Sequence, residues 1–512
     1  MKRLIFILLF FIVKIQAQTN HKKDFVLGVY FPPDIINKSC EIMDFKNPNT
    51  LLKQDLDNLS QISDCGFNLI VNAMGDQLTN EKERNYYLEL IKKNGNLRVM
   101  LSDFNYVQKN INPKNLNIDK GSKEFLTSFP KKYNNLYPVS LLDKEPLYKY
   151  VYAFDLKDEP SPNEMDNLGK WATYCRKNFS DRPTFTNLIP ISFFDYDNDC
   201  KTFRHPKSII ELYSKYLNAY KLADAKSPII CFDIYPFYQS SEGIDFRTNY
   251  FKNLYLVKKL FPNRSLWSVV HSVYGDGYIN ENEAMLQFMA FCPIAYGAKG
   301  LLDYIYQVPS WNYVSIEKNK NNSRGLCSAL ADDSKKYIEM QNINKYIKDI
   351  VAPVIMNSKY IATLHKNNTK LNINTLSDTS FPYSYPFNKD ELVRNFRGVL
   401  KDISDNDFMC GIFTLDNPRK VGSTKAKNSN STEYYIWIVN KNTNTTKRNI
   451  LITLNGNYTN TTISPSVINY FLSQKTTYDN PEEISYNPLK NETIVTIDSF
   501  VPGEGRILKV VN

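Results

Sequence analysis

Short apolar runs alternate with longer amphipathic segments through the first 305 residues of the chain. The runs have the length of buried β-strands and are rich in Val, Ile, Leu and aromatic residues. The segments between them place apolar residues at three- and four-residue spacing, as in Leu52, Leu56, Leu59 and Ile62, which is typical of amphipathic helices. The predicted strands are 25–31, 67–72, 97–102, 150–156, 184–189, 228–234, 266–271 and 300–305.

This alternation predicts a parallel sheet that is covered by helices on both faces. Eight strand and helix units predict an α/β fold of the (β/α)8 TIM barrel type. The alternative is an open doubly wound sheet. No GxGxxG or P-loop sequence follows any predicted strand, so the nucleotide-binding version of that sheet loses its main support. The predicted helices are 51–65, 81–94, 163–179, 209–225, 249–260 and 282–296, with a further helix at 332–350.

The pattern changes after residue 350. Short strands at 434–440, 449–454, 493–497 and 506–511 are separated by turns rich in Asn, Thr and Gly. This predicts a C-terminal antiparallel β-sandwich domain. We therefore predict two domains, a barrel over 24–350 that carries the chemistry and a sandwich over 351–512.

The first residues have the features of an export signal. Lys2 and Arg3 precede the unbroken apolar run 4–13, and Ala17 offers a small residue before polar Gln18. The run is shorter than the ~20 apolar residues needed to span a bilayer. An N-terminal membrane anchor is the alternative. We predict a signal peptide over 1–17, a periplasmic or extracellular protein, and no stable membrane insertion once the signal is removed.

Charge and composition exclude several classes of function. The formal net charge of 63 − 53 = +10 falls to about +7 without the three basic residues of the signal segment, and no dense basic patch follows, so we predict no nucleic-acid partner. The eight cysteines form no CxxC pair, and Cys231 and Cys292 lie in apolar runs typical of buried thiols. The four histidines form no HxH or HExxH sequence. We predict no metal and no cofactor.

Polar and aromatic side chains follow the predicted strands, at the end of the barrel where (β/α)8 enzymes hold their reactive groups. Carboxylates and amides can hydrogen-bond sugar hydroxyls, and planar rings can stack on the C–H faces of sugars. Packing in the core is an equal alternative for the aromatic residues, and a structural role is the common one for a lone histidine. The predicted substrate-binding residues are Asp158, Asn187, Tyr235, His271, Asp303, Tyr304 and Trp311.

Two carboxylates are the predicted catalytic residues, Glu159 after the fourth strand and Asp233 after the sixth. A carboxylic acid at a strand end, before a proline that fixes the turn, can be desolvated and its pKa raised for acid work. The alternative for Glu159 is a structural ion pair with Lys157 or an arginine. The alternative for Asp233 is a buried carboxylate that holds the barrel loops. Asp155 precedes Glu159 by four residues and is predicted to lie deeper in the barrel, in a structural role.

Several short motifs together resemble those of clan A glycoside hydrolases. Asp158-Glu159-Pro160 resembles the Asn-Glu-Pro motif at the fourth strand of that clan, and Tyr235 resembles the tyrosine that supports the nucleophile. The segments 295–306 and 501–506 are similar to exported β-galactosidase-like barrel proteins of Bacteroidetes. The resemblance implies that Glu159 is the acid/base and that residue 158 contacts a substrate hydroxyl.

The chain departs from the clan pattern at two positions. Asp158 stands where the clan has Asn, and the seventh strand ends in His271-Ser272 where the clan has its nucleophilic Glu. Glu281 and Glu283 follow later and are predicted to cap the next helix.

The sequence therefore predicts a glycoside hydrolase that acts on an extracellular oligo- or polysaccharide, with Glu159 as general acid/base. The alternatives are a non-catalytic carbohydrate-binding barrel that lost the seventh-strand nucleophile, and a purely structural surface protein.

Overall fold

The structure is a computed structural model, and it describes most of the chain in separate segments. The predicted signal segment 1–17 and Trp311 lie outside them. Within the segments that are described, no helix is both long and apolar enough to cross a membrane. The described residues are 24–30, 53–71, 81–102, 147–178, 182–194, 208–241, 243–247, 249–273, 281–306, 334–366, 399–415, 433–473 and 476–511.

Eight parallel strands close into a barrel, which confirms the predicted TIM fold. Their order around the barrel is β1-β10-β9-β6-β5-β4-β3-β2, and the two-stranded hairpin β7-β8 follows β6. The barrel strands are β1 (Val26–Tyr30), β2 (Leu69–Val71), β3 (Arg98–Ser102), β4 (Val151–Asp158), β5 (Thr184–Leu188), β6 (Ile229–Phe232), β9 (Ser265–His271) and β10 (Ala298–Tyr304). The hairpin strands are β7 (Phe237–Ser240) and β8 (Gly243–Phe246).

Helices lie between the strands at the positions that the apolar spacing predicts. The segment predicted as 81–94 is a helix with those bounds, and the other ends differ by a few residues. Ser208 caps the fourth helix by accepting a hydrogen bond from the Glu211 amide at 3.2 Å. The helices are α1 (Lys53–Asp64), α2 (Glu81–Asn94), α3 (Met165–Asn178), α4 (Ile209–Ala223), α5 (Tyr250–Leu260), α6 (Glu283–Ala295), α7 (Ser334–Tyr346), α8 (Ala352–Ile355) and α9 (Val467–Ser473), with a π-helical turn at Ile347–Val351.

Two antiparallel sheets follow, which agrees with the predicted sandwich. One has the order β11-β13-β14-β19-β16 and the other β12-β15-β18-β17. Buried apolar side chains of both sheets, including Phe408, Ile436, Ile452 and Val495, form one core. The strands are β11 (Ser358–His365), β12 (Leu400–Ile403), β13 (Phe408–Leu415), β14 (Glu433–Asn440), β15 (Lys447–Asn455), β16 (Thr462–Ile463), β17 (Glu483–Asn487), β18 (Glu492–Phe500) and β19 (Gly505–Val511).

The chain divides into two compact units. The first comprises Met1–Asp233, Leu260–Trp267 and Leu302–Tyr313, and the second comprises the remaining segments. In the second unit, α6 packs directly on the five-stranded sheet: Trp437 Nε1 donates a hydrogen bond to the Phe291 carbonyl at 2.9 Å. A Cβ on Gly411 would meet the Ala295 carbonyl oxygen at 2.4 Å, so this close approach requires glycine.

Candidate active site

The ends of β4, β5 and β6 bring four of the predicted site residues together. Asn187 Nδ2 donates a hydrogen bond to Asp158 Oδ1 at 3.0 Å, and the Asn187 side chain also hydrogen-bonds Asp233. The Glu159 and Asp233 carboxyl groups hydrogen-bond each other. The two predicted catalytic residues therefore form one pair, and a buried amide links Asp233 to Asp158.

The backbone at Glu159 adopts a conformation that few non-glycine residues adopt. Its φ is 45°, and its N–H donates to the Asn187 carbonyl at 2.9 Å. For a residue with a Cβ, the left-handed region costs about 1–2 kcal/mol. Such strain persists only where the surroundings hold it, and it is often found at functional sites. The tight turn carries the chain out of β4 at the point where Glu159 meets Asp233.

A buried tyrosine of α4 holds this turn. The Tyr216 hydroxyl donates to the Pro160 carbonyl at 3.0 Å and accepts a hydrogen bond from the Ile189 amide at 3.2 Å. It thus ties the end of β4 to the end of β5. Tyr216 was not among the predicted site residues. In the sequence, the helical spacing of Tyr213, Tyr216 and Tyr220 indicates only that these side chains face the core.

Lys157 forms an ion pair with a residue other than Glu159. Its ammonium group lies 3.6 Å from Glu164 Oε1, and Glu164 Oε2 accepts a hydrogen bond from the Ser161 amide at 2.7 Å. Glu164 therefore closes the turn after Pro160 as part of a capping box. The alternative in which Glu159 pairs with Lys157 is therefore not what is observed, because Lys157 pairs with Glu164.

Desolvation and neighbouring charge raise the pKa of each member of the pair. Burial raises the pKa of Glu159, and the charge of Asp158 adds to that effect. Burial raises the pKa of Asp233 well above its usual range, and the charges of Glu159 and Asp158 raise it further. Two carboxylates in contact cannot both ionise easily. The pair therefore retains a proton at a pH where isolated carboxylates have lost theirs.

Asp158 shares this environment although part of it is open to solvent. Desolvation raises its pKa, while the hydrogen bond from Asn187 and the charge of Lys157 lower it. The amide of Asn187 thus stabilises the ionised form of Asp158, whose charge in turn favours the protonated forms of its neighbours.

Asp155 lies in β4, three residues before Asp158. It is buried, and burial followed by the charge of Asp158 raises its pKa to about 8. The pairing of β4 with β5 shifts register between Asp155 and Lys157. This shift interrupts the strict alternation of side chains along β4.

Tyr30, at the end of β1, is a further residue of this cluster that the sequence analysis missed. Burial raises its pKa well above its usual range, and the charges of Cys231, Asp158 and Asp155 act in the same direction. Its hydroxyl therefore keeps its proton. The ring lies edge-on to Tyr304, with centroids 6.0 Å apart. The feature of the sequence that could have indicated Tyr30 is its position at the end of a predicted strand.

His271, the last residue of β9, hydrogen-bonds a buried glutamate. Its Nδ1 contacts Glu281 Oε1, and Lys336 Nζ lies 3.3 Å from Glu281 Oε2. Lys336 also donates to the Ser272 carbonyl at 3.1 Å. The Tyr235 ring packs on the His271 ring, with centroids 4.4 Å apart. The tyrosine predicted to support a nucleophile thus contacts an imidazole.

The prediction that Glu281 caps α6 is wrong. The cap is Asn282, whose side chain accepts a hydrogen bond from the Met285 amide at 3.0 Å. Glu283 lies in the first turn and accepts a hydrogen bond from Gln287 at 3.2 Å. Glu281 instead contacts His271 and Lys336. A buried carboxylate needs such partners because burial without them costs free energy.

The other predicted site residues lie at the end of β10 or beyond it. Asp303 is buried and Tyr304 is half-buried, while Trp311 is outside the described residues. Cys231 and Cys292 are buried free cysteines, as predicted. In the described segments, no three or more His, Cys, Asp or Glu side chains are arranged to hold a metal ion.

Comparison with known proteins finds similarity to solved structures and to neither family models nor curated proteins. No family model matches the chain, and no curated protein matches it. The chain is similar to an endo-β-1,4-mannanase from Thermotoga petrophila, with 10% identity and a TM-score of 0.38 over 96% of this chain and 97% of that one. It is similar to a family 51 α-L-arabinofuranosidase from Bifidobacterium longum, with 8% identity and a TM-score of 0.41 over 96% of each chain. A glucosidase from Croceicoccus marinus gives 8% identity and a TM-score of 0.40, again over 96% of each chain.

Proposed function

We propose that the protein is a glycoside hydrolase in which Glu159 is the general acid/base and Asp233 is its partner carboxylate. The observation that carries the proposal is the hydrogen-bonded carboxyl pair after β4 and β6, both members of which have raised pKa values. Glycosidic hydrolysis needs one protonated and one ionised carboxyl group at the scissile bond. A pair that shares one proton supplies both states at once.

We propose that the reaction retains the anomeric configuration, with Asp233 as the nucleophile. Inverting enzymes hold their carboxyl groups about 6.5–9.5 Å apart to admit a water, and retaining enzymes about 5–5.5 Å apart. Carboxyl groups that hydrogen-bond each other favour the shorter of these two separations. In the free protein the pKa of Asp233 is raised the more strongly, and its hydrogen bond lowers that of Glu159. The proposed roles therefore require that substrate entry separates the pair and moves the proton to Glu159, beside the leaving oxygen, with Asp233 left ionised beside the anomeric carbon.

Polar neighbours of the pair are proposed to bind sugar hydroxyls. Asp158 and Asn187 hydrogen-bond each other and can each accept or donate a further bond to a hydroxyl. Tyr235, His271, Asp303, Tyr304 and Trp311 stay predicted substrate contacts.

The proposed substrate is an extracellular oligo- or polysaccharide, because we also propose that residues 1–17 direct export. N-terminal sequencing of the mature protein tests this point. A chain that begins at Gln18 supports cleavage after Ala17, and an intact Met1 contradicts it.

Leaving-group dependence tests the two catalytic roles. A panel of aryl glycosides and unmodified oligosaccharides first identifies the sugar. Glu159→Gln is then expected to lower kcat by about 10²–10⁴-fold on unactivated oligosaccharides, and much less on glycosides whose leaving group needs no proton. Asp233→Asn is expected to lose activity on both kinds of substrate. Asp166→Asn, at an exposed position of α3, is the control and is expected to keep full activity.

Full activity of Glu159→Gln on unactivated oligosaccharides would contradict the assignment of the acid. Loss of the leaving-group distinction would contradict the division of roles between Glu159 and Asp233. Added azide separates the roles further, because it is expected to restore glycosyl transfer with retention in the acid variant and with inversion in the nucleophile variant.

The second candidate is a non-catalytic carbohydrate-binding barrel. The observation that favours it is the end of β9, where His271 stands at the position of the expected glutamate. Titration calorimetry that shows affinity for an oligosaccharide, with no new reducing ends over days, would support this candidate. Turnover that depends on Glu159 would exclude it.

A further inference from the structure

Asn187 contacts both members of the carboxyl pair. It lies in β5, where its partner on one side is Asp158 of β4 and its partner on the other is Cys231 of β6. Its carbonyl accepts a hydrogen bond from the Glu159 N–H at 2.9 Å, and its side chain hydrogen-bonds Asp158 and Asp233. One residue therefore holds the backbone of Glu159 and the side chain of Asp233.

The side-chain amide of Asn187 acts on Asp233 as a hydrogen-bond donor. Its Nδ2 donates to Asp158 Oδ1 at 3.0 Å, and its bond to Asp233 lowers the pKa of that carboxyl group, as donation to the ionised form does. An amide nitrogen carries two hydrogens, so one can serve each carboxylate. Because Asn187 is only 4% exposed, water competes little for these bonds. The amide therefore stabilises the ionised form of Asp233.

Burial favours the opposite distribution of charge within the pair. Desolvation is the largest cause of the raised pKa of both members, and it takes the pKa of Asp233 well above its usual range. The charge of Asp158 raises the pKa of both, so it does not distinguish them. The bond that lowers the pKa of Glu159 comes from Asp233 and is lost when the pair separates. The bond from Asn187 to Asp233 does not depend on the contact between the two carboxyl groups.

We propose that Asn187 is a positioning residue that decides which carboxyl group of the pair is ionised during the reaction. Its amide holds Asp233 as the carboxylate once substrate has separated the pair, and one proton moves from Asp233 to Glu159. The inference rests on the proposed function for the roles of the two carboxyl groups. It needs no contact between Asn187 and the sugar, and it gives a physical reason for the proton transfer that those roles require.

Other titratable groups lie around the pair and act on it in every variant of the test. In the described part of the chain they include Asp155, Asp158 and Lys157 of β4, Tyr30 of β1, Cys231 of β6 and Tyr216 of α4. Burial raises the pKa of the two tyrosines and of the cysteine well above their usual ranges, so these three groups stay neutral. The three groups of β4 are unchanged in all variants, so a shift confined to variants of Asn187 is assigned to the amide.

The pH dependence of kcat/KM tests this role. The parent is Glu159→Gln, which lacks the coupled partner and is expected to keep activity on aryl glycosides whose leaving group needs no proton. On such a substrate, the fall of kcat/KM at low pH reports protonation of Asp233. Asn187→Leu in this parent is expected to move the fall to higher pH by about 1–2 pH units, because a hydrogen bond to a charged group is lost.

A second substitution and two controls accompany this test. Asn187→Asp keeps the size of the side chain, cannot donate when ionised and adds a like charge, so the same shift or a larger one is expected. It also covers the case in which Asn187→Leu does not fold. Asn68→Leu makes the same substitution at an asparagine that donates to the Phe25 carbonyl at 2.9 Å, before β2. Tyr216→Phe loosens the turn after Glu159 and leaves the amide in place. Both controls are expected to leave the pH of the fall unchanged.

The split between kcat and KM gives a further readout with Glu159 present. Asn187→Leu is expected to lower kcat on unactivated oligosaccharides by about 10–100-fold with little change in KM, because the ionised nucleophile is lost and not the contact with the sugar.

A fall of kcat/KM at the same pH in the parent and in both Asn187 variants would overturn the proposal. So would a shift to lower pH, or an equal shift in either control. In each of these cases, the leaving-group dependence of Glu159→Gln would still support the hydrolase. If the wild-type protein hydrolyses no glycoside of the panel, the proposed function and this inference are both overturned.

Discussion

Glu159 and Glu281 are both glutamates that follow barrel strands, but their neighbours differ in charge. Glu159 hydrogen-bonds Asp233 and lies near Asp158. Desolvation and then the charge of Asp158 raise its pKa, against the lowering effect of the hydrogen bond from Asp233. Glu281 contacts a lysine and a histidine. The first environment favours a carboxyl group that keeps its proton, and the second surrounds a buried carboxyl group with basic side chains. The neighbours of a carboxylate, more than its place after a strand, decide whether it suits acid catalysis.

The neighbours of the two glutamates also come from different parts of the fold. The cluster of Asp155, Asp158 and Asp233 lies on β4 and directly after β6, the two strands that border β5. The set formed by His271, Glu281 and Lys336 draws on β9, the segment that precedes α6, and α7. A like-charged cluster gains from a rigid sheet that keeps the carboxylates together. An ion pair attracts its own partners and can be assembled from distant segments.

The largest expected effect comes from removing the cation beside Glu281. Lys336→Met is expected to lower the free energy of unfolding by about 3–5 kcal/mol, because it leaves a buried carboxylate without its ammonium. The double variant Glu281→Leu with Lys336→Met is expected to recover most of that loss, since it removes both charges. Urea unfolding followed by circular dichroism measures both values.

Lys335→Met serves as the control for this comparison, with an expected change within about 0.5 kcal/mol. If Lys336→Met proved as mild as Lys335→Met, the buried ion pair would not be part of the folded protein in solution.

The next effect concerns Asp155, whose pKa rises from 3.8 to about 8 on folding. Between these values the folded protein holds a proton that the unfolded chain has released, so stability falls as the pH rises. Asp155→Asn removes this dependence. Its gain in unfolding free energy over the wild-type protein is expected to grow from pH 4 upward and to reach up to roughly 4 kcal/mol at pH 7.

Urea unfolding of both proteins at pH 4, 5.5 and 7 checks this prediction. Asp166→Asn, on the exposed face of α3, is expected to show no such trend. A gain for Asp155→Asn that stays flat across this range would show that Asp155 is already ionised in the folded protein.

Apolar runs were enough to predict the barrel. The ends of its strands were enough to single out Glu159, Asp233, Asp158 and Asn187, which lie together in the structure. The pairings within the site were not predictable in the same way. The link between His271, Glu281 and Lys336 joins residues that are far apart in the sequence, and no local pattern records it. The strand β13 was not predicted, although its residues 408–413 are all buried.

A smaller effect is expected at Tyr216, which holds the turn after Glu159. Tyr216→Phe removes the hydroxyl that serves Pro160 and Ile189 and is expected to cost about 1–3 kcal/mol of unfolding free energy. Because the turn positions Glu159, kcat is expected to fall more than KM rises. Tyr486→Phe removes an exposed tyrosine hydrogen bond to Asn491 and is the control. Equal losses of stability in the two variants would contradict a special role for Tyr216.

The smallest effect distinguishes the backbones of the two glutamates. Glu159 has a φ of 45°, a value that glycine adopts without a Cβ clash, whereas Glu281 is not among the described residues with positive φ. Glu159→Gly is therefore expected to be more stable than Glu159→Ala by about 1 kcal/mol. At position 281 the order is expected to reverse, with the glycine variant about 0.5–1 kcal/mol less stable than the alanine variant, because glycine loses more backbone freedom on folding. Comparing the two pairs by urea unfolding cancels the loss of each side chain's contacts. If Glu159→Ala were the more stable variant at position 159 as well, the turn at Glu159 would not be strained, and the carboxyl pair alone would keep Glu159 in place.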